Sequence, residues 1–292
     1  MTRSRERPAP GAGTRFVGVL GSPVRHSWSP AMMNAAFEHL GLDWRYGAFE
    51  VPPTRFAAAL EGLRALGFVG ANITVPHKEA AALACDELGR EAELAGAVNT
   101  VVMQAGTIIG HNTDAAGFVA AAREALSFDP AGADVVILGA GGSARAVVVG
   151  LALAGAASLT VINRTAARAE AMCHALGEAF PAAKLQAAAW EPAPLEAAVA
   201  RASLLVDCTV VGLEPETAPP CAIPVDTLQA SAAVATLVYH REPELLARAR
   251  ARGLRTMDGH LMLLHQAAAA LPLWTNTEAP LEVMRAALDR VR

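Results

Sequence analysis

Two hydrophobic periods share this chain. Compact apolar runs predict buried strands, and apolar positions three or four apart predict amphipathic helices. In the first half the two alternate. Phe16–Leu20 reads as a strand, and Ser29-Pro30 follows as an N-cap with proline at the first helical position. Met33, Ala36, Phe37 and Leu40 then recur at helical spacing until Gly41 stops the helix. Trp44–Val51 is extended. Phe56, Leu60 and Leu63 mark a second helix closed by Gly67, Val69–Val75 is a strand, and Pro76 opens another helix. Ala97–Met103 and Thr107–Gly110 pattern as a hairpin around Ala105-Gly106. Helices between strands predict an α/β fold with a mostly parallel sheet.

A second unit begins near residue 114 on this reading. Phe118, Ala122, Ala125 and Leu126 share one face of a helix that joins the two units. Asp134–Leu138 is a buried strand, and a glycine-rich turn, a helix and the strand Leu159–Asn163 follow it. Leu204–Cys208 and Ala233–Val238 are two further buried strands. This β-α-β succession is that of a dinucleotide-binding domain. Asp258–Leu271 has the period of one long helix, which Pro272 should end or kink. A last helix covers Pro280–Val291. The uncharged run Ala146–Ile162 approaches the length of a membrane span. Gly150, Gly155 and Ser158 interrupt it, so a buried helix, a turn and a buried strand explain it better.

Composition narrows the partners. Of 292 residues 53% are hydrophobic and 18% charged, ample for packed cores and no case for disorder. A net charge of −4 argues against nucleic acid, while small anionic substrates need only a local basic residue. Cys85, Cys173, Cys208 and Cys221 are scattered, with no CxxC pair and no histidine at metal-finger spacing. Reduced thiols in a cytoplasmic protein without a metal are the expectation. Residues 1–14 are rich in Arg and Pro without an apolar stretch, and read as a loose tail, not a signal peptide.

Gly139-Ala140-Gly141-Gly142-Ser143-Ala144 follows a strand and opens a helix, and Gly139, Gly141 and Ala144 fit the G-x-G-x-x-A form. Glycine lets the chain turn tightly and brings backbone N–H groups and the positive end of a helix to a pyrophosphate. Such turns also join strands to helices for packing alone; the strand before and the periodic helix after favour a nucleotide. At the end of the next strand an NAD site usually places Asp or Glu for the ribose hydroxyls. Here the run is Asn163-Arg164-Thr165 with Arg168 one turn on, two guanidinium groups and no carboxylate, which suits the 2′-phosphate of NADP. The competing reading makes Thr165 an N-cap and Arg168 part of a solvated face.

Among 24 basic residues only Lys78 and Lys184 are lysines. Arg cannot release its proton near neutral pH and Lys can, so a lysine kept near the start of a helix is a candidate acid–base group. Capping or surface charge is the plain alternative. Asn72-x-Thr74 precedes Lys78, Asn99-Thr100 lies in an apolar strand, and Asn112-Thr113-Asp114 sits at the unit junction. Such amides and hydroxyls can hold a polyhydroxylated ring without a large desolvation cost. Each alone is equally a turn or cap residue.

Together these segments resemble the shikimate dehydrogenase family. Gly21-Ser22-Pro23-Val24-Arg25-His26-Ser27-Trp28-Ser29-Pro30 is similar to its substrate signature, and Gly70-Ala71-Asn72-Ile73-Thr74-Val75-Pro76-His77-Lys78 to its lysine segment. Gly96–Thr100, Asn112–Asp114, Gly139–Arg145, Asn163–Thr165 and Asp258-Gly259…Gln266 follow in the family's order. The resemblance implies two domains. A substrate domain at 15–113 is completed by 259–292, and a Rossmann NADP-binding domain occupies 114–258. It implies that Ser27 and Ser29, helped by Tyr239, bind a carboxylate, and that Asn72, Thr74, Asn99, Asp114 and Gln266 contact ring hydroxyls. Lys78 and Asp114 would be the acid–base pair, and Thr209, Leu237 and Gly259 would join the glycine turn around NADP. The implied activity, that of an oxidoreductase acting on a CH–OH group, is reversible reduction of 3-dehydroshikimate to shikimate by a monomer or homodimer away from membranes. A paralogue acting on quinate or aminoshikimate, or a low-turnover binding homologue, are the alternatives.

The chain departs from the family pattern in four places. Asp207-Cys208-Thr209-Val210-Val211-Gly212 stands where Asn-x-Thr-Ser is usual before Val-Gly, and Thr236 where Asp often lies three residues before Tyr239. Met33 replaces a common His, and Pro272 interrupts a helix that normally runs on.

Overall fold

The chain divides into two compact units, one running to Thr113 and resuming at Leu264, the other spanning Asp114–Leu263. The computed structural model describes residues 9–209, 211 and 218–292; Val210 and Gly212 of the departing run, and residues 1–8 of the tail, lie outside them.

The first unit is built from β1 (Arg15–Gly21), α1 (Ser29–His39), β2 (Trp44–Glu50), α2 (Phe56–Ala65), β3 (Gly70–Ile73), α3 (Lys78–Ala84), β4 (Glu87–Leu88), α4 (Arg90–Ala95), β5 (Thr100–Gln104) and β6 (Thr107–His111). Its sheet has the order β2-β1-β3-β5-β6-β4. Strands β2, β1 and β3 run parallel, as do β6 and β4, while β5 runs antiparallel to both its neighbours. The side-chain alternation of strands sorts the two faces. Leu20, Ala71, Ile73 and Val101 pack with Phe56, Leu60 and Leu63 of α2 into one core. Tyr46, Asn72 and Thr100 project from the other face, as the register Tyr46↔Val17, Val19↔Asn72 and Asn72↔Thr100 requires.

The second unit contains α5 (Asp114–Leu126), β7 (Asp134–Leu138), α6 (Gly142–Leu153), β8 (Ser158–Asn163), α7 (Ala166–Ala179), β9 (Lys184–Ala189), α8 (Pro192–Val199), β10 (Leu204–Asp207), β11 (Ala233–Thr236), α9 (Glu244–Ala251) and β12 (Arg255–Met257). Then α10 (Gly259–Thr275) starts in this unit and ends in the first, where α11 (Leu281–Asp289) packs on α1. All five strand pairs of the second sheet are parallel. Its order is β9-β8-β7-β10-β11-β12. That is third-second-first-fourth-fifth-sixth along the chain, the Rossmann order, with its topological switch between β7 and β10. No helix among the described residues is long and apolar enough to cross a membrane, and Ala146–Ile162 divides into the end of α6, a turn and β8.

Several sequence expectations need correction. Trp28, already helical in φ and ψ, occupies the N-cap of α1, and Ser29 is the first helical residue. The hydroxyl of Ser27 supplies the acceptor instead, taking the Ser29 N–H at 3.3 Å. Pro76 does not open α3. It sits in a turn closed by His77 N–H donating to Thr74 O at 2.9 Å, and the helix starts at Lys78. Ala97–Val98 is not yet strand, because Gly96 ends an unexpected helix, α4, just before it. Ala125 faces solvent; the buried stripe of α5 is Ala115, Phe118, Val119, Ala122 and Leu126. Pro272 does not end α10, which runs to Thr275: the proline lies in the last turn, where Pro272 O takes the Asn276 N–H at 2.9 Å. The tail is tied down from Gly11 onward, with Thr14 Oγ1 donating to Asp43 Oδ2 at 2.8 Å.

Candidate active site

In the first unit a buried polar chain links segments far apart in sequence. Tyr46 Oη donates to Asn72 Oδ1 at 2.6 Å. Asn72 Nδ2 donates to Thr100 Oγ1 at 2.9 Å and to Asn99 O at 3.2 Å. Thr100 Oγ1 donates to Asn99 Oδ1 at 3.1 Å, and that same oxygen accepts the Thr113 N–H at 2.8 Å. Asn99 Nδ2 donates to Thr113 Oγ1 at 2.9 Å and to Gln266 Oε1 at 3.3 Å. The last contact joins residues 167 apart, so both ends of the chain build this cluster. Asn112 Nδ2, donating to Ala97 O at 2.8 Å, fixes the loop that leads into α5. All these side chains are buried, and burial is affordable for amides and hydroxyls because each is bonded. The carboxamide of Asn34 pairs with the backbone of Tyr46 in β2.

The serine segment leaves from the end of β1. Ser27 is half-buried, Ser29 is buried, and Ser27 N–H donates to Val24 O at 2.9 Å. Thr74 and Lys78 are half-buried on either side of the turn into α3. Lys78 O accepts the Val98 N–H at 2.9 Å, which sets the start of this helix against the segment carrying Asn99.

The second unit carries the remaining candidates. Asp114, buried to 4% exposure, is the first residue of α5, where the helix dipole favours a carboxylate. Gly139 ends β7 with φ +106, and a side chain there would press on Cys208 and Thr209 at the end of β10. Only glycine suits both the conformation and the approach. Gly141 is the extended N-cap of α6, with open space where a Cβ would be, and Gly142 and Ser143 are half-buried over Ala144. This leaves backbone N–H groups at the head of a twelve-residue helix accessible at the switch point, as a pyrophosphate requires. Arg164, Thr165 and Arg168 are exposed at the end of β8, where no carboxylate stands. Asn163 Nδ2 braces this turn by donating to Thr165 O at 2.9 Å. Thr165 holds the N-cap position of α7 without a side-chain cap bond.

Past β10, Asp207 Oδ1 accepts both the Thr209 N–H at 2.9 Å and its hydroxyl at 2.7 Å, and Thr209 Oγ1 accepts the Val211 N–H at 3.1 Å. Burial pushes the Asp207 carboxyl above its ordinary range, against the opposing pull of the two Thr209 bonds. Gly259 N–H donates to Val238 O at 3.0 Å, so the head of α10 lies directly on the backbone of Leu237 and Val238. Tyr239 follows, its ring centroid 4.0 Å from that of His240; burial raises its phenol to about 12, leaving it a neutral donor. Among the described residues no group of three or more His, Cys, Asp and Glu side chains could hold a metal ion.

Thr100 and Thr113, hydroxyl candidates from the sequence, belong to the buried polar chain, and Tyr46, which the sequence pattern did not single out, joins it. A signal existed for Tyr46: the protein has only two tyrosines, and a buried tyrosine needs a partner for its hydroxyl.

Three family models match the chain: the shikimate dehydrogenase substrate binding domain over residues 19–101, shikimate / quinate 5-dehydrogenase over 120–208, and the shikimate 5′-dehydrogenase C-terminal domain over 259–288. A shikimate dehydrogenase (NADP(+)) of Methanopyrus kandleri is 47% identical over 283 residues, covering 96% of this chain and 97% of the relative. That of Symbiobacterium thermophilum is 44% identical, covering 94% and 93%. Among solved structures, a shikimate dehydrogenase in complex with NADP+ superposes with TM-score 0.87 at 34% identity, covering 97% of both chains. A 5-ketofructose reductase of Gluconobacter sp. gives 0.83 at 34%, covering 97% of this chain and all (100%) of that one. A quinate dehydrogenase from Corynebacterium glutamicum in complex with NAD gives 0.82 at 32%, covering 95% and 99%.

Proposed function

The chain belongs to the shikimate dehydrogenase family, and from that premise we propose that it catalyses the reversible NADP-dependent reduction of 3-dehydroshikimate to shikimate. The observation that carries this reading is the amide and hydroxyl cluster in which Asn72, Asn99, Thr113 and Gln266 converge from both ends of the chain. Its donors and acceptors match the hydroxyls of a polyhydroxylated ring.

The hydroxyls of Ser27 and Ser29 bind the ring carboxylate, assisted by the neutral phenol of Tyr239. Asn72, Thr74, Asn99 and Gln266 orient the ring by its hydroxyls. The amine of Lys78 accepts the hydroxyl proton as the alcohol is oxidised, and the ammonium so formed stabilises the developing alkoxide. Asp114 is the second member of the acid–base pair. In the reducing direction the same ammonium returns the proton to the carbonyl oxygen. NADP, when bound, supplies the hydride acceptor or donor. Gly139, Gly141, Gly142, Ser143 and Ala144 would hold its pyrophosphate, Asn163, Arg164, Thr165 and Arg168 its 2′-phosphate side, and Thr209, Leu237 and Gly259 its nicotinamide end.

The deciding assay measures initial rates with shikimate and with quinate, each with NADP and NAD. Shikimate with NADP should dominate. Quinate with NAD dominating would replace both substrate and cofactor. Lys78→Ala should cut kcat about a hundredfold or more while substrate affinity changes less, and an unchanged kcat removes Lys78 from the chemistry.

A further inference from the structure

We propose that His77 is a positioning residue: it ties the start of α3 to the end of β2 and so fixes Lys78 at a set span from the serine segment. This rests on the acid–base role of Lys78 given above. His77 lies between Pro76 and the half-buried Lys78, yet is only 2% exposed. Its Nε2 is 2.7 Å from Val51 O. A carbonyl can only accept, so the ring carries its proton on Nε2 and donates it there. The ring stacks on Phe56, the first residue of α2, at 4.6 Å between centroids and 15° between planes. Its backbone is held as well, the N–H donating to Thr74 O at 2.9 Å and the C=O accepting the Ala81 N–H at 2.8 Å. Lys78, the next residue, inherits a direction that ring and backbone fix together.

Val51 makes this more than a local cap. Its N–H donates to Gly21 O at 3.0 Å, at the point where the serine segment leaves β1. Ser22 N–H donates to Val75 O at 2.9 Å, closing the same junction from the other side. The segment bearing Ser27 and Ser29 and the turn bearing Lys78 therefore depart from one hydrogen-bonded knot, with the His77 ring as the tie on the lysine side. The chemistry needs such a knot. A rigid ring gripped by its carboxylate presents its reacting hydroxyl at a fixed distance, and a base misplaced by about 1 Å can lose about a hundredfold in rate. Phenylalanine at 77 would keep the stack but donate nothing, leaving Val51 O without its partner and the head of α3 free to shift.

The test compares kcat and KM for shikimate and NADP in His77→Phe, His77→Gln, Lys78→Ala and the double variant His77→Phe/Lys78→Ala. We expect His77→Phe to lower kcat about tenfold or more with both KM values nearly kept. His77→Gln, whose amide N–H can reach toward Val51 O, should recover part of that loss. In the Lys78→Ala background His77→Phe should cost nothing further. Should His77→Phe not fold, His77→Asn, whose amide falls short of Val51, takes its place with the same expectation. A kcat kept in the folded variant while only thermal stability falls overturns the proposal, as do losses from His77 and Lys78 that multiply. Wild-type turnover in Lys78→Ala is a different result: it overturns the acid–base reading itself.

Discussion

Gly150 sits in the middle of α6, where glycine is a poor choice for a helix, and its replacement by alanine sets two effects against each other. Removing a mid-helix glycine stabilises by about 0.8–1 kcal/mol from propensity alone. A Cβ at this position, however, would lie 2.9 Å from the carbonyl carbon of Ala115 and 3.1 Å from its Cα, and closer still to its oxygen. Carbon atoms rest at about 3.5–4.0 Å, so the first turn of α5 must retreat by about 0.5–1 Å. Overpacking of this kind costs about 1–3 kcal/mol, which outweighs the propensity gain and leaves a net loss of about 0–2 kcal/mol. The residue displaced with Ala115 is its neighbour Asp114. Gly150→Ala should therefore lower kcat about tenfold while the protein still folds. Urea unfolding gives the stability and steady-state kinetics the kcat. Gly177→Ala in α7 is the control, since nothing lies within 4 Å of its Cβ; it should gain up to about 1 kcal/mol with kcat unchanged. A Gly150→Ala variant that is stabilised as much as the control, with full kcat, would refute the close approach of α5 to α6 and the steric reasoning built on it.

Other outcomes follow from the same geometry. Arg164→Ala should raise the KM for NADP about tenfold and leave that for NAD alone, because a charge-assisted bond to a 2′-phosphate is worth about 1.5–3 kcal/mol; equal losses for both cofactors would refute the assignment. Tyr46→Phe leaves Asn72 Oδ1 without the Tyr46 hydroxyl and should cost about 1–3 kcal/mol in urea unfolding; a variant as stable as the parent would show that the buried chain does not depend on that hydroxyl. Asp207 has a raised carboxyl pKa in the folded state, so its contribution to stability is fully present below the ordinary value of 3.8 and is lost as pH rises through the folded pKa. Asp207→Asn keeps an acceptor for Thr209 without the charge, so its stability relative to the parent should grow as pH rises from 4 toward neutral; a difference that shrinks over that range contradicts the burial argument.

What the sequence made legible was what short-range physics decides. The strands β7 and β8 stand out because parallel strands buried on both faces are nearly continuous apolar runs, and their limits were read to within a residue. The turn at Ala105-Gly106 joins β5 to β6 as read; its signal is Gly106, at φ +85, while Ala105 adopts φ +51 without any help from its residue type. Long-range registry was not legible. Nothing local says that β5 pairs antiparallel with β3 across the intervening α3, β4 and α4, or that Tyr46 reaches Asn72, which depends on β1 lying between β2 and β3. The helices α4 and α8 were missed for another reason: alanines carry much of their pattern, and alanine gives little periodic contrast. The burial of His77 was not legible either, because it rests on a ring stacked against Phe56, a residue of another helix.

The two departures from the family pattern near the switch point look independent in the sequence, separated as they are by a long segment. In the sheet they are one feature. Asp207 and Thr236 are direct register partners at the ends of β10 and β11, exposed by only 3% and 0%. Where the family pattern puts an amide on the first strand and a carboxylate on the second, this chain has the carboxylate on the first and a hydroxyl on the second. A pair of adjacent buried carboxylates would be doubly penalised, by desolvation and by like charge, so an acid gained at 207 favours the loss of one at 236. The acid that remains is not idle: one of its oxygens takes both the N–H and the O–H of Thr209, while the Thr236 hydroxyl turns to accept the Val238 N–H at 3.3 Å. The exchange thus keeps one acceptor at the head of each loop leaving the sheet, which is why two substitutions beside the glycine turn are compatible with an unaltered strand order and an undisturbed Gly139.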